Sequence, residues 1–159
     1  MKQSKTNAMR ILDAKKVSYE LMTYDNKDGK IDGVSVANKI HRNPEQVYKT
    51  LVTQGHSKGI FVFVIPVEKE LNLKKAAKAS GEKKVEMIPV KDILKWTGYI
   101  RGGCSPVGMK KAYPTFIDVS AEQQNTIIVS GGRIGTQMEI HVKDLQQVTG
   151  AVLADVVKE

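Results

Sequence analysis

Lys49 is the residue of this chain best placed to do chemistry. It sits in Val47-Tyr48-Lys49-Thr50-Leu51-Val52, whose β-branched and aromatic residues read as a strand. Side chains alternate between the faces of a strand, so Val47, Lys49 and Leu51 share one face, and the ammonium projects among apolar neighbours. A buried ammonium is costly unless it is paired or meets an anionic ligand. The plainer reading is an edge lysine that snorkels to water or guards the edge against aggregation. Two glycine-rich segments shift that balance. Gly98-Tyr99-Ile100-Arg101-Gly102-Gly103-Cys104-Ser105-Pro106-Val107-Gly108 lets backbone N–H groups approach a ligand and form a concavity for an anion or a carbonyl. Ser130-Gly131-Gly132 closes a predicted strand and offers a second such site, with the Ser130 hydroxyl added. Neither segment matches a phosphate loop or the dinucleotide fingerprint.

Other reactive side chains are less promising. Cys104 is the single cysteine, and as a nucleophile it needs a base. His41, His56 and His141 carry no spacing signature for that role or for a metal. A packed or exposed thiol is the better reading. With one cysteine there is no internal disulfide and no cysteine metal cluster, and a reducing, cytoplasmic compartment fits. The carboxylates are dispersed, with no convincing acid–base pair.

The elements that must position Lys49 and the glycines alternate irregularly. Ser4 is placed to cap a helix running to Lys16, followed by a strand from Ser18 to Tyr24 and a polar turn from Asp25 to Lys30. A short helix through Val36, Ala37 and Ile40 leads to a turn at Asn43-Pro44. The Lys49 strand follows, then the Gly55–Gly59 turn. Ile60 to Ile65 is apolar on both faces, which predicts a central strand. Leu73, Ala76, Ala77 and Ser80 make the inner face of a helix ended by Gly81, with Lys74, Lys75 and Lys78 opposite. Such a stripe is ordinarily a wet face, yet it suits a phosphate backbone. A strand at Val85–Ile88 and a helix from Pro89 to Gly98 precede the long glycine loop to Lys111. Strands at Thr115–Val119, Thr126–Ser130 and Met138–Val142, a helix at Lys143–Thr149, and a strand at Ala151–Val157 complete the chain. This order predicts a mixed α/β domain spanning residues 1–159, its mixed sheet curled into a barrel-like form with helices outside.

Composition bounds the partners. Formal net charge is +8, which favours an acidic partner, nucleic acid first. The excess is concentrated between Glu68 and Lys111, where eleven lysines and arginines face five acids. A basic surface that merely keeps the protein soluble is the bland alternative. No apolar run approaches a membrane span, and the opening Met1–Asn7 lacks the apolar core of a secretory signal.

Taken together, five segments resemble the bacterial YbaK-type Cys-tRNA(Pro) deacylases, free-standing relatives of the editing domain inserted in bacterial prolyl-tRNA synthetases. They are Val47 to Leu51, Leu71-Asn72-Leu73-Lys74-Lys75-Ala76-Ala77, Lys83-Lys84-Val85-Glu86-Met87, Gly98 to Lys111, and Ile128-Val129-Ser130-Gly131-Gly132, in that order. The resemblance implies a hydrolase, of mixed and barrel-like fold, that clears cysteine mischarged onto proline tRNA. Size alone separates cysteine from proline weakly. It implies no metal or cofactor, and chemistry in which the substrate's own thiol attacks its ester carbonyl to release tRNA and a cyclic thiolactone. The protein then positions the substrate and stabilises charge. Lys49 matches the family's essential lysine, with Thr50 beside it. Tyr24, Gly102, Ser130 and Gly131 match positions around the aminoacyl group. Lys74, Lys75 and Lys78 are candidates for tRNA contact, and prolyl-tRNA synthetase is a candidate partner. Gln137 stands where some relatives carry aspartate, which weakens the implied grip on the substrate's ammonium. Two other readings stay open: a deacylase for another amino acid such as alanine, and a non-catalytic tRNA- or synthetase-binding module.

Overall fold

The computed structural model describes residues 4–159; the first three residues of the opening stretch lie outside them. Among the described residues eight strands form two sheets. The smaller is antiparallel, in the order β1 (Glu20–Thr23), β7 (Thr136–His141), β6 (Thr126–Arg133). The larger runs β4 (Val85–Met87), β2 (Tyr48–Gly55), β3 (Ile60–Pro66), β5 (Thr115–Asp118), β8 (Val152–Ala154). Its β2, β3 and β4 pair antiparallel, while β5 is parallel to both β3 and β8. The sheets meet at a single bridge between Val47 and Ile128. The mixed, curved sheet is therefore as read, made of two sheets seamed together rather than one closed barrel.

Packing follows the strand alternation. On one side, Ile127, Val129, Met138 and Ile140 of the small sheet join Tyr48, Val64 and Ile117 of the large one. Helices α1 (Asn7–Ala14) and α5 (Val142–Thr149) cover this core through Ala8, Leu12 and Leu145. On the other side, Phe63, Ile65 and Phe116 pack under α3 (Leu73–Ser80), with the two phenylalanine rings stacked at 5.3 Å. A third cluster, Ala37 of α2 (Gly33–Lys39) with Val47, Val67 and Ile128, sits over the seam between the sheets. β3 is the middle strand of its sheet and buried along almost its whole length, as its continuous apolar run requires. A short helix, α4 (Ile93–Thr97), ends at Gly98 as expected. No helix among the described residues is long and apolar enough to cross a membrane.

Several boundaries differ from the sequence reading for tertiary reasons. Thr6, not Ser4, caps α1: its hydroxyl accepts from Met9 N and donates to the Gly131 carbonyl at 2.6 Å. The second bond ties the cap to β6, which no local pattern reveals. Ser130-Gly131-Gly132 lies inside β6 rather than at its close, because an irregularity between Ser130 and Arg133 lets the ladder continue. The predicted last strand divides into β8 and an isolated bridge between Leu71 and Val157. On α3, Leu73 is exposed rather than inward, and Lys75 leaves the wet stripe. Its ammonium donates to Asp155 Oδ1 at 3.1 Å and to the Val157 carbonyl at 3.0 Å, so it braces the C-terminal segment.

One polar link crosses from the turn after α2 to the small sheet. Arg42 Nη2 lies 2.7 Å from Glu139 Oε2, which also accepts from Thr126 Oγ1 at 2.6 Å. The Arg42 guanidinium, more than any other contact, holds the half-buried Glu139 carboxyl below the usual carboxylate range. Arg42→Ala is expected to destabilise the fold by about 1–3 kcal/mol, since it strands a carboxylate that remains partly solvated. The folded-state value is depressed, so the stabilisation is present above the ordinary glutamate value and lost as pH falls through the folded one. Urea denaturation at pH 7 and pH 3 tests both points: the gap between wild type and Arg42→Ala should close at the lower pH.

Candidate active site

At the seam, where β2 begins, lies a cavity of about 110 Å³. Its walls come from five places. β2 and its approach supply Val47, Tyr48, Lys49 and Thr50; Ile31, Gly33 and Val36 come from α2 and the loop before it; Gly102 and Cys104 from the glycine loop; and Ser130 and Gln137 from the small sheet, with Val67 beyond β3. Ser130 pairs with Gln137, and Gln137 with Met22, across three strands. Residues directly opposite in a ladder share a face, so this row points into the seam. The cavity is smaller than a drug-sized pocket of roughly 300 Å³ or more, and suits a compact group such as an aminoacyl side chain.

Lys49 pairs with Ile65 and shares that face with Leu51 and Phe63, as alternation predicts. Val47 does not join them, because it precedes the strand and bridges to Ile128. The half-buried Lys49 ammonium has one polar contact, the Val67 carbonyl at 3.4 Å, and no carboxylate partner among the described residues. Burial pulls its pKa below the ordinary lysine value, with partial compensation from Glu70. Thr50 pairs with Val64 and faces the opposite side. Its hydroxyl is enclosed and has no hydrogen-bond partner among the described residues. Among the described residues no carboxylate lines the cavity, so the site is electropositive and under-satisfied, the condition of a pocket built for a polar or anionic group.

The glycine loop reaches the cavity through close backbone approach. Gly102 has φ +86°, and a Cβ there would come 2.7 Å from Ile31 Cδ1. A Cβ on Gly103 would come 2.9 Å from the Arg133 Cα, so the loop docks on the β6–β7 hairpin as only glycine allows. Tyr99 pins the loop across its width, donating to the Val107 carbonyl at 2.7 Å.

Cys104 lines the cavity with no histidine or carboxylate beside it there among the described residues. Burial pushes its thiol up to about 11, and none of the exposed His41, His56 and His141 lines the cavity. At pH 8, iodoacetamide should alkylate Cys104 about two orders of magnitude more slowly than free cysteine, because only the thiolate reacts. Mass spectrometry over time checks this; a rate near that of free cysteine would place the thiol in solvent. Among the described residues no group of three or more His, Cys, Asp or Glu is arranged for a metal ion.

The structure thus brings together Lys49, Thr50, Gly102 and Ser130 of the residues singled out in the sequence. Gly131 stands beside the cavity, its carbonyl taken by Thr6. Tyr24 does not line it. It lies two residues beyond Met22, on the face that carries Gln137, and its hydroxyl is buried without a partner among the described residues. Lys74 and Lys78 are exposed on α3, outside the cavity. The apolar walls, Ile31, Val36 and Val67, were not legible: each looks like an ordinary core residue, and only the seam exposes it to a cavity.

The chain and its fold match a known family. Residues 32–148 match the family described as the aminoacyl-tRNA editing domain, and the chain belongs to it. It is 45% identical over 154 residues to an Enterococcus faecalis protein provisionally named Cys-tRNA(Pro)/Cys-tRNA(Cys) deacylase EbsC, covering 97% of this chain and 94% of that one. Two solved structures share the fold. One, hypothetical protein APE2540, has TM-score 0.87 and 23% identity, covering 96% of this chain and 99% of that one. The other, described provisionally as a trans-editing enzyme for prolyl tRNA synthetase, has TM-score 0.83 and 21% identity, covering 99% and 100%.

Proposed function

We propose that this protein is a trans-editing hydrolase that removes cysteine from mischarged Cys-tRNA(Pro). The observation that carries the reading is the Lys49 ammonium, half-buried at a small cavity and held by one long contact to a carbonyl. An ammonium so placed is available to the negative charge that develops when an ester carbonyl is attacked, and low local dielectric strengthens it there. The name of the E. faecalis relative supports the substrate.

Among the described residues the cavity offers no nucleophile–base pair, which suits chemistry in which the substrate supplies the nucleophile. The cysteinyl sulfur attacks its own ester carbonyl carbon. The bond from that carbon to the tRNA 3′-oxygen breaks, the proton lost from sulfur ends on the departing oxygen, and the products are free tRNA and a cyclic thiolactone. The protein holds the ester in a near-attack geometry, with Gly102, Ser130 and Gly131 beside the aminoacyl group, Thr50 donating to it, and Tyr24 at the pocket edge. Lys74 and Lys78 remain candidates for the tRNA backbone. Prolyl-tRNA synthetase is the proposed partner for tRNA selection, in keeping with the description of the structural neighbour. The proposed compartment is the cytoplasm.

The test is hydrolysis of Cys-tRNA(Pro) and Ala-tRNA(Pro) in parallel. Loss of cysteine with alanine retained is the expected result, because alanine has no thiol to close the ring. Alanine turnover at a similar rate would move the protein to another editing specificity, and tight, salt-sensitive tRNA binding without turnover would make it a binding module.

A further inference from the structure

Lys39 is the last residue of α2, where a lysine ordinarily extends into water. Here its side chain is only 21% exposed. Nζ donates to the Asp25 carbonyl at 2.7 Å, to Asp28 Oδ1 at 2.7 Å and to the Lys30 carbonyl at 3.0 Å. An ammonium has three donors, and all three are used on a single loop, residues 24–32. The same nitrogen lies 5.9 Å from the centre of the Tyr24 ring at the start of that loop, within reach of a cation–π contact. The loop is anchored at its two ends, where Tyr24 N donates to the Gly135 carbonyl and Asp32 caps α2 by accepting from Ser35; between them its other ties are local turns, from Lys27 N to Asp25 Oδ1, Lys30 N to Asp28 Oδ1, Gly29 N to the Asn26 carbonyl and Ile31 N to the Gly29 carbonyl. Such turns shape the loop without attaching it to the body of the protein. Beyond Lys30 comes Ile31, a wall of the cavity whose Cδ1 presses on the Gly102 backbone.

We propose that Lys39 is a positioning residue for substrate binding: its ammonium fastens the 24–32 loop to α2 so that Ile31 closes the cavity against Gly102. The inference rests on the deacylase reading for its kinetic consequence. Lys39 does not line the cavity, so it acts through Ile31. Freeing the loop opens one wall of the cavity while Lys49 and Thr50, on β2, stay in place. Substrate affinity therefore falls more than the rate of the bound complex.

Lys39→Met and Lys39→Arg test this in the full chain, with kcat and KM for Cys-tRNA(Pro) and amide hydrogen exchange as readouts. Lys39→Met should raise KM about tenfold and change kcat by no more than about twofold. Exchange should quicken across 24–32 and at Gly102 to Cys104, with β2 and β3 as protected as before. Lys39→Arg keeps the charge and several donors, and should recover most of the loss. An unchanged KM with a loosened loop would overturn the proposal, as would unchanged exchange at Gly102. A general loss of protection that arginine does not rescue would make Lys39 merely structural. Should wild type hydrolyse neither ester, the deacylase reading fails on its own, and exchange at Gly102 still decides whether Lys39 holds the wall.

Discussion

Replacing Lys49 by alanine is expected to lower kcat/KM for Cys-tRNA(Pro) by about 10³-fold, the scale of losing a preorganised group at a developing oxyanion. The fold should survive. Lys49 makes one 3.4 Å contact to the Val67 carbonyl and has no carboxylate partner among the described residues. Its removal therefore breaks no ion pair and relieves a half-buried charge whose pKa burial already depresses. The urea midpoint should be unchanged or slightly higher. Lys49→Arg is the informative companion. It keeps the positive charge but replaces a compact ammonium by a planar fork, in a cavity of about 110 Å³, and should recover little activity. Unfolding of Lys49→Ala would make the lysine structural, and near-normal turnover would remove it from the chemistry. A thiolactone product detected with wild type and absent with Lys49→Ala would join the residue to the ring-closing step.

Thr50→Val should move stability and activity in opposite directions. The hydroxyl is enclosed at the cavity wall and has no partner among the described residues, and an unsatisfied buried hydroxyl costs about 1–3 kcal/mol. Valine has nearly the same shape and sits opposite Val64 in β3, so the substitution should stabilise the protein by about 1 kcal/mol. If the hydroxyl completes its hydrogen bond with substrate, kcat/KM should fall by about 10- to 100-fold, the kinetic equivalent of one such bond. Thermal melts and deacylation rates on the same preparation decide it. A more stable variant with full activity would mean that the hydroxyl serves nothing in the reaction; a less stable one would mean that it finds a partner the folded protein itself provides.

Much of the architecture was legible because it depends on local patterns. The apolar run Ile60 to Ile65 predicted a central strand, and β3 occupies that place. Three helices end at Gly81, Gly98 and Gly150, where the sequence stops favouring helix. Failures came where a distant partner decided the outcome. Ser4 is the better cap by residue type, yet the bond to the Gly131 carbonyl favours Thr6. Lys75 shares its spacing with Lys74 and Lys78, and Asp155 with the Val157 carbonyl, eighty residues on, drew it away from solvent.

By itself, the sequence determined the family, the strand that carries Lys49, and the glycines that must line a close approach, because strand phase and glycine chemistry are properties of neighbouring residues. Only the tertiary structure decided that Lys49 and Thr50, on opposite faces of β2, can serve one cavity. That cavity lies at the strand's first residues, where two sheets meet at Val47 and Ile128. It also decided that Cys104 is a half-buried thiol at the cavity wall and that Lys39 spends its three donors on the loop of residues 24–32. Burial and partner choice depend on which distant segments meet, and no local pattern of residues contains that information.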